Sequence, residues 1–185
     1  MPPFALRLIP TYAAVVVLLL LARPTALGFA VGTVLVVIGA AIRIWSAGHL
    51  VKTERLATTG PYAYLRHPLY LGTLLIVLGF AIIAGGVASA VLLPALLLWF
   101  FVYYYPYKNR IESARLERLF GDDFAAYQAA VPALFPSRWP RAASPGSDAA
   151  CRWSAELFHA NHEAATLLGL CVGLCALALR PFLPI

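Results

Sequence analysis

Residues 60–86 read GPYAYLRHPLYLGTLLIVLGFAIIAGG. A turn, an Arg-His pair and tyrosines come first, an apolar run from Leu69 to Ala84 follows, and Gly85-Gly86 closes it. Proline suits the first position of a helix because its missing N–H had no partner there. The stretch therefore predicts a helix from about Pro68 that turns at the two glycines straight into the next apolar segment. Arg66 and His67 fall at its mouth. Charged and titratable groups at the edge of a membrane helix are costly to keep, which marks this mouth as a candidate functional site.

Working outward, composition decides the class. The 185-residue chain is 62% hydrophobic and only 12% charged, against about 25% charged in soluble domains. So few charges do not cover so much apolar surface in water. The expectation is an all-α, polytopic integral membrane helical bundle. Five apolar segments fit it: Leu8 to Ala22, Thr25 to Trp45, Leu69 to Ala84, Val87 to Tyr105 and Ala165 to Leu179. The first is short for a span of ~20 residues. Pro10 and the lack of a small-x-small cleavage site argue against a signal peptide there.

With the N-terminus cytoplasmic and five crossings, every Lys and Arg except Arg23 and Arg180 falls inside, as the positive-inside rule asks. All eight acids fall on that side too. The net charge of +6 is thus assigned to anionic lipid rather than nucleic acid. The chain divides into a core over 1–136, which includes a cytoplasmic amphipathic helix over 107–136, a Pro/Ser/Ala-rich linker over 137–150, and an interfacial helix with the last span over 151–185. Within 107–136, Gly121 suits a helix C-cap and Asp122-Asp123 a new start. Gly28-x-x-x-Gly32 and Gly169-x-x-x-Gly173 offer small faces for helix packing.

The residues that carry chemistry cluster at the mouth. A helix N-terminus presents free N–H groups, and Arg66 beside it makes a seat for a carboxylate. Tyr70 shares a face with His67, and Gly72 removes a side chain next door. Interfacial anchoring by Arg and Tyr fits the same residues. The hairpin at Gly85-Gly86 returns Arg110 and Glu112 to the neighbourhood of His67. Glu112 suits a ribose hydroxyl or an ammonium group, and it equally suits a solvated helix face beside Arg115. His49, Lys52 and Arg55 suit phosphate or a lipid headgroup, and better still plain positive-inside residues. His159 and His162 offer two ligands, too few for a metal site, and none is expected. No Gly-x-Gly, Gly-x-Ser-x-Gly or His-Glu-x-x-His occurs.

The run from Gly60-Pro61-Tyr62 through Arg66-His67-Pro68-Leu69-Tyr70-Leu71-Gly72 is followed by Glu112, Leu116, Phe120-Gly121, Phe124, Tyr127 and Val131-Pro132. Over residues 43–136 this resembles the isoprenylcysteine carboxyl methyltransferase family, one of the integral membrane methyltransferases that include the phospholipid N-methyltransferases. The resemblance implies S-adenosylmethionine in a cytoplasmic pocket between the third and fourth spans and the helix after them. His67, Tyr70 and Gly72 would line it from one side with Tyr64 nearby, and Glu112 from the other. Leu116, Phe120 and Tyr127 would shape it. A lipidic or prenylated acceptor would enter from the bilayer for carboxyl O-methylation. Arg66 or Arg110 would hold its carboxylate, and His67 would deprotonate an amine or thiol acceptor instead. Ser113 stands where the family commonly has a second Glu, which bears on the acceptor. A phospholipid amine and a small thiol stay open as acceptors. So do an NADPH-dependent membrane reductase, which usually lacks Pro after the Arg-His pair, and a non-catalytic membrane protein. Neither the acceptor nor the oligomeric state is legible in the sequence.

Overall fold

The computed structural model of the protein describes residues 21–51, 55–136, 139 and 152–182. Among the described residues every regular element is helical. In chain order they are α1 (Ala26–Ala47), a 3-10 turn (Gly60–Ala63), α2 (Pro68–Ala84), α3 (Gly86–Leu98), a π turn (Trp99–Tyr104), α4 (Tyr105–Ala130), α5 (Ala155–Ala160), α6 (Glu163–Leu179) and a last 3-10 turn (Arg180–Phe182). Among the described residues three stretches are long and apolar enough to cross a membrane: Ala26–Ala47, Gly86–Ala130 and Glu163–Phe182. The shorter apolar α2 has 17 residues, about 26 Å at 1.5 Å per residue, close to the ~30 Å of a bilayer core. The protein is an all-α membrane helical bundle. The expected first span lies outside the described residues except for Leu21 and Ala22.

α1 and α2 form the frame, and glycine sets their distance. A Cβ on Gly39 would stand 2.6 Å from the carbonyl oxygen of Gly72, and one on Gly79 would stand 2.6 Å from that of Gly32. The two pairs are seven residues apart on each antiparallel helix, so the backbones touch along one seam, as small residues permit in lipid. Of the small faces read from sequence, Gly28 faces the Ile82 carbonyl at 3.3 Å and Gly173 faces the Phe80 ring at 3.1 Å, whereas a Cβ on Gly169 would meet open space. Beyond α2, Gly85 and Gly86 take φ of +64° and +54°, which only glycine adopts without cost.

Two prolines shape the path from α3 into α4. Pro94 lies inside α3, and Pro106 in the first turn of α4. Pro106 cannot donate to a carbonyl four residues back. The ladder loosens just before it: the Tyr105 N–H reaches the Phe100 carbonyl, five residues back, and closes the π turn. α4 is therefore continuous with α3, rather than a separate helix beginning near residue 107. Gly121, at φ +49°, breaks it in two, and the second half ends at Ala130, two residues before Pro132.

The C-terminal segment caps the site end of α1. Helix ends leave carbonyls without partners. The Trp153 indole N–H donates to the Ile44 carbonyl at 3.0 Å, and the Ser154 N–H to that of Gly48 at 2.9 Å. The Asn161 amide donates to the carbonyls of Ala47 and Leu50 at 2.9 and 3.0 Å. In place of the long interfacial helix expected over 151–163 stands the six-residue α5, part of this cap. α6 is fastened by a buried ion pair. Arg43 Nε donates to Glu163 at 3.0 Å, and Arg43 Nη1 donates to the Thr73 hydroxyl at 2.7 Å. Glu163 is only 3% exposed.

Candidate active site

The site forms where the N-terminus of α2 meets α4. Extended backbone before α2 is held by the segment after α4: the Arg66 N–H donates to the Pro132 carbonyl at 2.8 Å, and the His67 N–H to that of Ala133 at 3.0 Å. The bend at Gly121 makes this return possible. It brings Phe124, Tyr127 and Val131 into one buried cluster with Leu56, Leu116 and Phe120. The Tyr127 hydroxyl donates to the Tyr62 carbonyl at 2.8 Å, which ties the returning half-helix to the 3-10 turn.

Between these elements lies a cavity of about 430 Å³, within the range of small-molecule sites. Leu50, Val51, Arg55, Leu56 and Ala57 form one wall. Tyr62, Arg66, His67, Leu69 and Tyr70 form a second, and Glu112, Arg115, Leu116, Leu119, Phe124 and Tyr127 a third. The Tyr70 hydroxyl donates to Glu112 at 2.7 Å. His67 Nε2 lies 2.7 Å from the Asn109 amide oxygen, and its Nδ1 lies 3.6 Å from the Glu112 carboxylate. The His67 ring stacks on Tyr70 at 5.2 Å. Burial is the largest influence on His67 and holds it below the ordinary histidine value, against Glu112 and the Asn109 bond, which favour the proton. Burial likewise pushes the Tyr62 hydroxyl up, so it stays a neutral donor.

Three donor atoms on the second wall are buried without a partner among the described residues: the Tyr62 hydroxyl and Nε and Nη1 of Arg66. Buried donors without partners are uncommon and call for an explanation. Glu112 lines the same cavity, in contact with Tyr70 and beside His67. The lining thus combines buried hydrogen-bond donors, one carboxylate and several aromatic rings.

The residues expected from sequence are distributed unevenly. Arg66, His67, Tyr70 and Glu112 come together at the cavity. Arg110 is exposed and is not among the lining residues. Tyr64 sits against the Trp45 ring at 6.1 Å, also away from the lining. Gly72 faces α1: a Cβ there would stand 2.8 Å from the Gly39 carbonyl oxygen, so its missing side chain admits a helix rather than a ligand. Sequence reading passed over Tyr62 and Asn109. Asn109 lies three residues before Glu112, the spacing that puts both on one helix face. Tyr62 lies in the quoted turn itself. Among the described residues no three His, Cys, Asp or Glu side chains gather as a metal centre would need.

Over 96 residues the chain is 36% identical to a cobalt-zinc-cadmium resistance protein of Cupriavidus metallidurans, covering 51% of this chain and 42% of that one. Over 98 residues it is 38% identical to a protein-S-isoprenylcysteine O-methyltransferase of Schizosaccharomyces pombe, covering 49% and 39%. A nickel-cobalt-cadmium resistance protein of Alcaligenes xylosoxydans xylosoxydans is 35% identical over 96 residues, covering 51% and 43%. The chain therefore spans about two fifths of the length of the curated relatives it matches. No solved structure matches it. The phospholipid methyltransferase family model matches residues 27–123, just over half of the chain, a span holding α1, α2, α3 and the part of α4 that carries Asn109 and Glu112. The cavity is therefore built largely on that shared core, and the chain belongs to the phospholipid methyltransferase family.

Proposed function

We propose that the protein transfers a methyl group from S-adenosylmethionine to the carboxylate of a lipidic acceptor such as a prenylcysteine. One observation supports this reading: a cavity at the mouth of a membrane helix is lined by Arg66 and Tyr62, whose buried donors have no partner among the described residues, and by the Glu112 carboxylate. The residues present fit the cofactor. Glu112 and Tyr70 would hold its cationic or ribose portion, and the rings of Tyr62, Phe124 and Tyr127 offer faces for a cation or a base. Bound there, S-adenosylmethionine supplies a methyl on a sulfonium, whose transfer to a carboxylate oxygen leaves a thioether and an ester.

The chain's own residues do the rest. A carboxylate is already ionised at neutral pH, since its pKa lies near 4, so no strong base is required. Arg66 would orient that carboxylate with the Nε and Nη1 donors of its guanidinium while leaving an oxygen lone pair free. His67, neutral through burial, would not compete as a second cation. Leu50, Leu56, Leu116 and Leu119 would exclude water and receive the apolar part of the acceptor. Alignment of this kind supplies several kcal/mol of the barrier. Arg23 and Arg180 lie at the end of the bundle away from the site and most other basic residues at the site end, which supports a cytoplasmic site.

The test is methyl incorporation from labelled S-adenosylmethionine by the full chain in native-lipid nanodiscs, with a farnesylated cysteine, phosphatidylethanolamine and a small thiol as acceptors. The expected product releases its label as methanol in base, as an ester does. Base-stable label on lipid or thiol would overturn carboxyl transfer. Binding of NADPH with no binding of S-adenosylhomocysteine would overturn methyl transfer altogether.

A further inference from the structure

We propose that the outer face of α4 is a docking surface for anionic phospholipid headgroups. The inference does not depend on methyl transfer. At about 100° per residue, Tyr107, Lys108, Ile111, Ala114, Arg115 and Arg118 fall within about 60° of the Ile111 direction. The acids Glu112 and Glu117 lie about 100° or more away. Tyr107 is 47% and Ile111 48% exposed, and Lys108, Arg115 and Arg118 are exposed as well. Ile111, Ala114, Arg115, Arg118 and Leu119 form one open patch along this helix. The stripe thus combines an apolar floor with three cations and no acid.

Its place in the fold selects the occupant. α4 runs on from α3 through the π turn without a break, so the stripe begins where an apolar membrane helix ends. The parallel rings of Tyr103 and Tyr107, 6.0 Å apart, stand at that junction, where aromatic residues favour the membrane interface. Guanidinium groups match phosphate oxygens in pairs, and each Lys or Arg near an anionic leaflet adds about 1 kcal/mol of attraction. A soluble anion would have no use for Ile111 and Leu119, whereas glycerol and the first acyl carbons would. Arg115 and Leu119 also line the site cavity, so a headgroup seated here lies directly against its wall.

Native mass spectrometry of the detergent-purified full chain, titrated with phosphatidylglycerol and with phosphatidylcholine, tests this. The unaltered chain should retain phosphatidylglycerol in preference. A double variant, Lys108→Gln with Arg118→Gln, should bind it about tenfold or more weakly at an unchanged melting temperature. Arg110→Gln removes an equally exposed cation off the stripe and should leave binding unchanged. Equal retention of phosphatidylcholine, an unchanged double variant, or an equal loss in Arg110→Gln would overturn the proposal. Displacement by inorganic phosphate at matching concentration would also overturn it, in favour of a soluble anion.

Discussion

Replacing Glu112 by Gln is the most informative single change. The substitution keeps the size of the side chain and an oxygen able to accept from the Tyr70 hydroxyl, now 2.7 Å away, and removes only the charge. A hydrogen bond to a charged group is worth about 1.5–3 kcal/mol. The Glu112 side chain is 44% exposed, so solvent screening discounts that figure. We expect a loss of about 1–1.4 kcal/mol, a five- to tenfold rise in Kd. Calorimetry with S-adenosylhomocysteine and S-adenosylmethionine reads it, with the melting temperature as the control for folding. A larger loss for the methylated ligand, which alone carries the sulfonium charge, assigns Glu112 to the sulfonium. An equal loss assigns it to the ribose or ammonium end. Unchanged affinity for both ligands in Glu112→Gln and in Glu112→Ala would refute the site.

Other expectations concern the frame and the pH response. Gly79→Ala drives a methyl into the Gly32 carbonyl and should cost about 1–3 kcal/mol as overpacking, while Gly169→Ala meets open space and should be neutral or stabilising by helix propensity; thermal melting of both separates seam from surface. Glu163→Leu strands the Arg43 charge inside the bundle and should cost about 3–5 kcal/mol, and adding Arg43→Met should recover much of it; a double variant no better than the single would refute the pairing. Burial holds His67 below its ordinary value, so below about pH 6.5 the unfolded chain takes up the proton first and stability falls with pH. The slope should approach about 1.4 kcal/mol per pH unit, vanish in His67→Asn, and be absent above neutrality; a slope that persists in that variant belongs to another group.

The frame was legible because it rests on local signals. An apolar run bounded by Pro68 and Gly85-Gly86 leaves a membrane chain few choices, and the observed α2 begins and ends at those residues. The helix break at Gly121 was legible for the same reason. At the candidate site, Arg66, His67 and Tyr70 were legible from one motif, and Glu112 from the return of the chain at Gly85-Gly86. Arg110 and Glu112 are two positions apart, and a helix turns about 200° between them. Their nearness in sequence therefore argued against a shared cavity, and only Glu112 faces it. Gly72 misled because a missing side chain signals close approach without naming the partner. That partner, the Gly39 carbonyl, depends on a register between α1 and α2 that no local pattern states.

What lay furthest from sequence reading is the part played by residues 152–163, beyond the end of the family match at residue 123. They resemble no motif, yet they bear on the cavity. Asn161 donates to the Ala47 and Leu50 carbonyls, and Leu50 with Val51 forms part of the lining. These carbonyls belong to the frayed end of α1, where the ladder has run out and water or a side chain must take its place. Asn161 takes that place, and so fixes the direction in which the chain leaves α1. Trp153 closes over Gly48, where a Cβ would collide with the indole. The stretch matched by the family model therefore does not by itself determine this wall. A helix pair beyond the family match, fastened through Arg43 and Glu163, holds it.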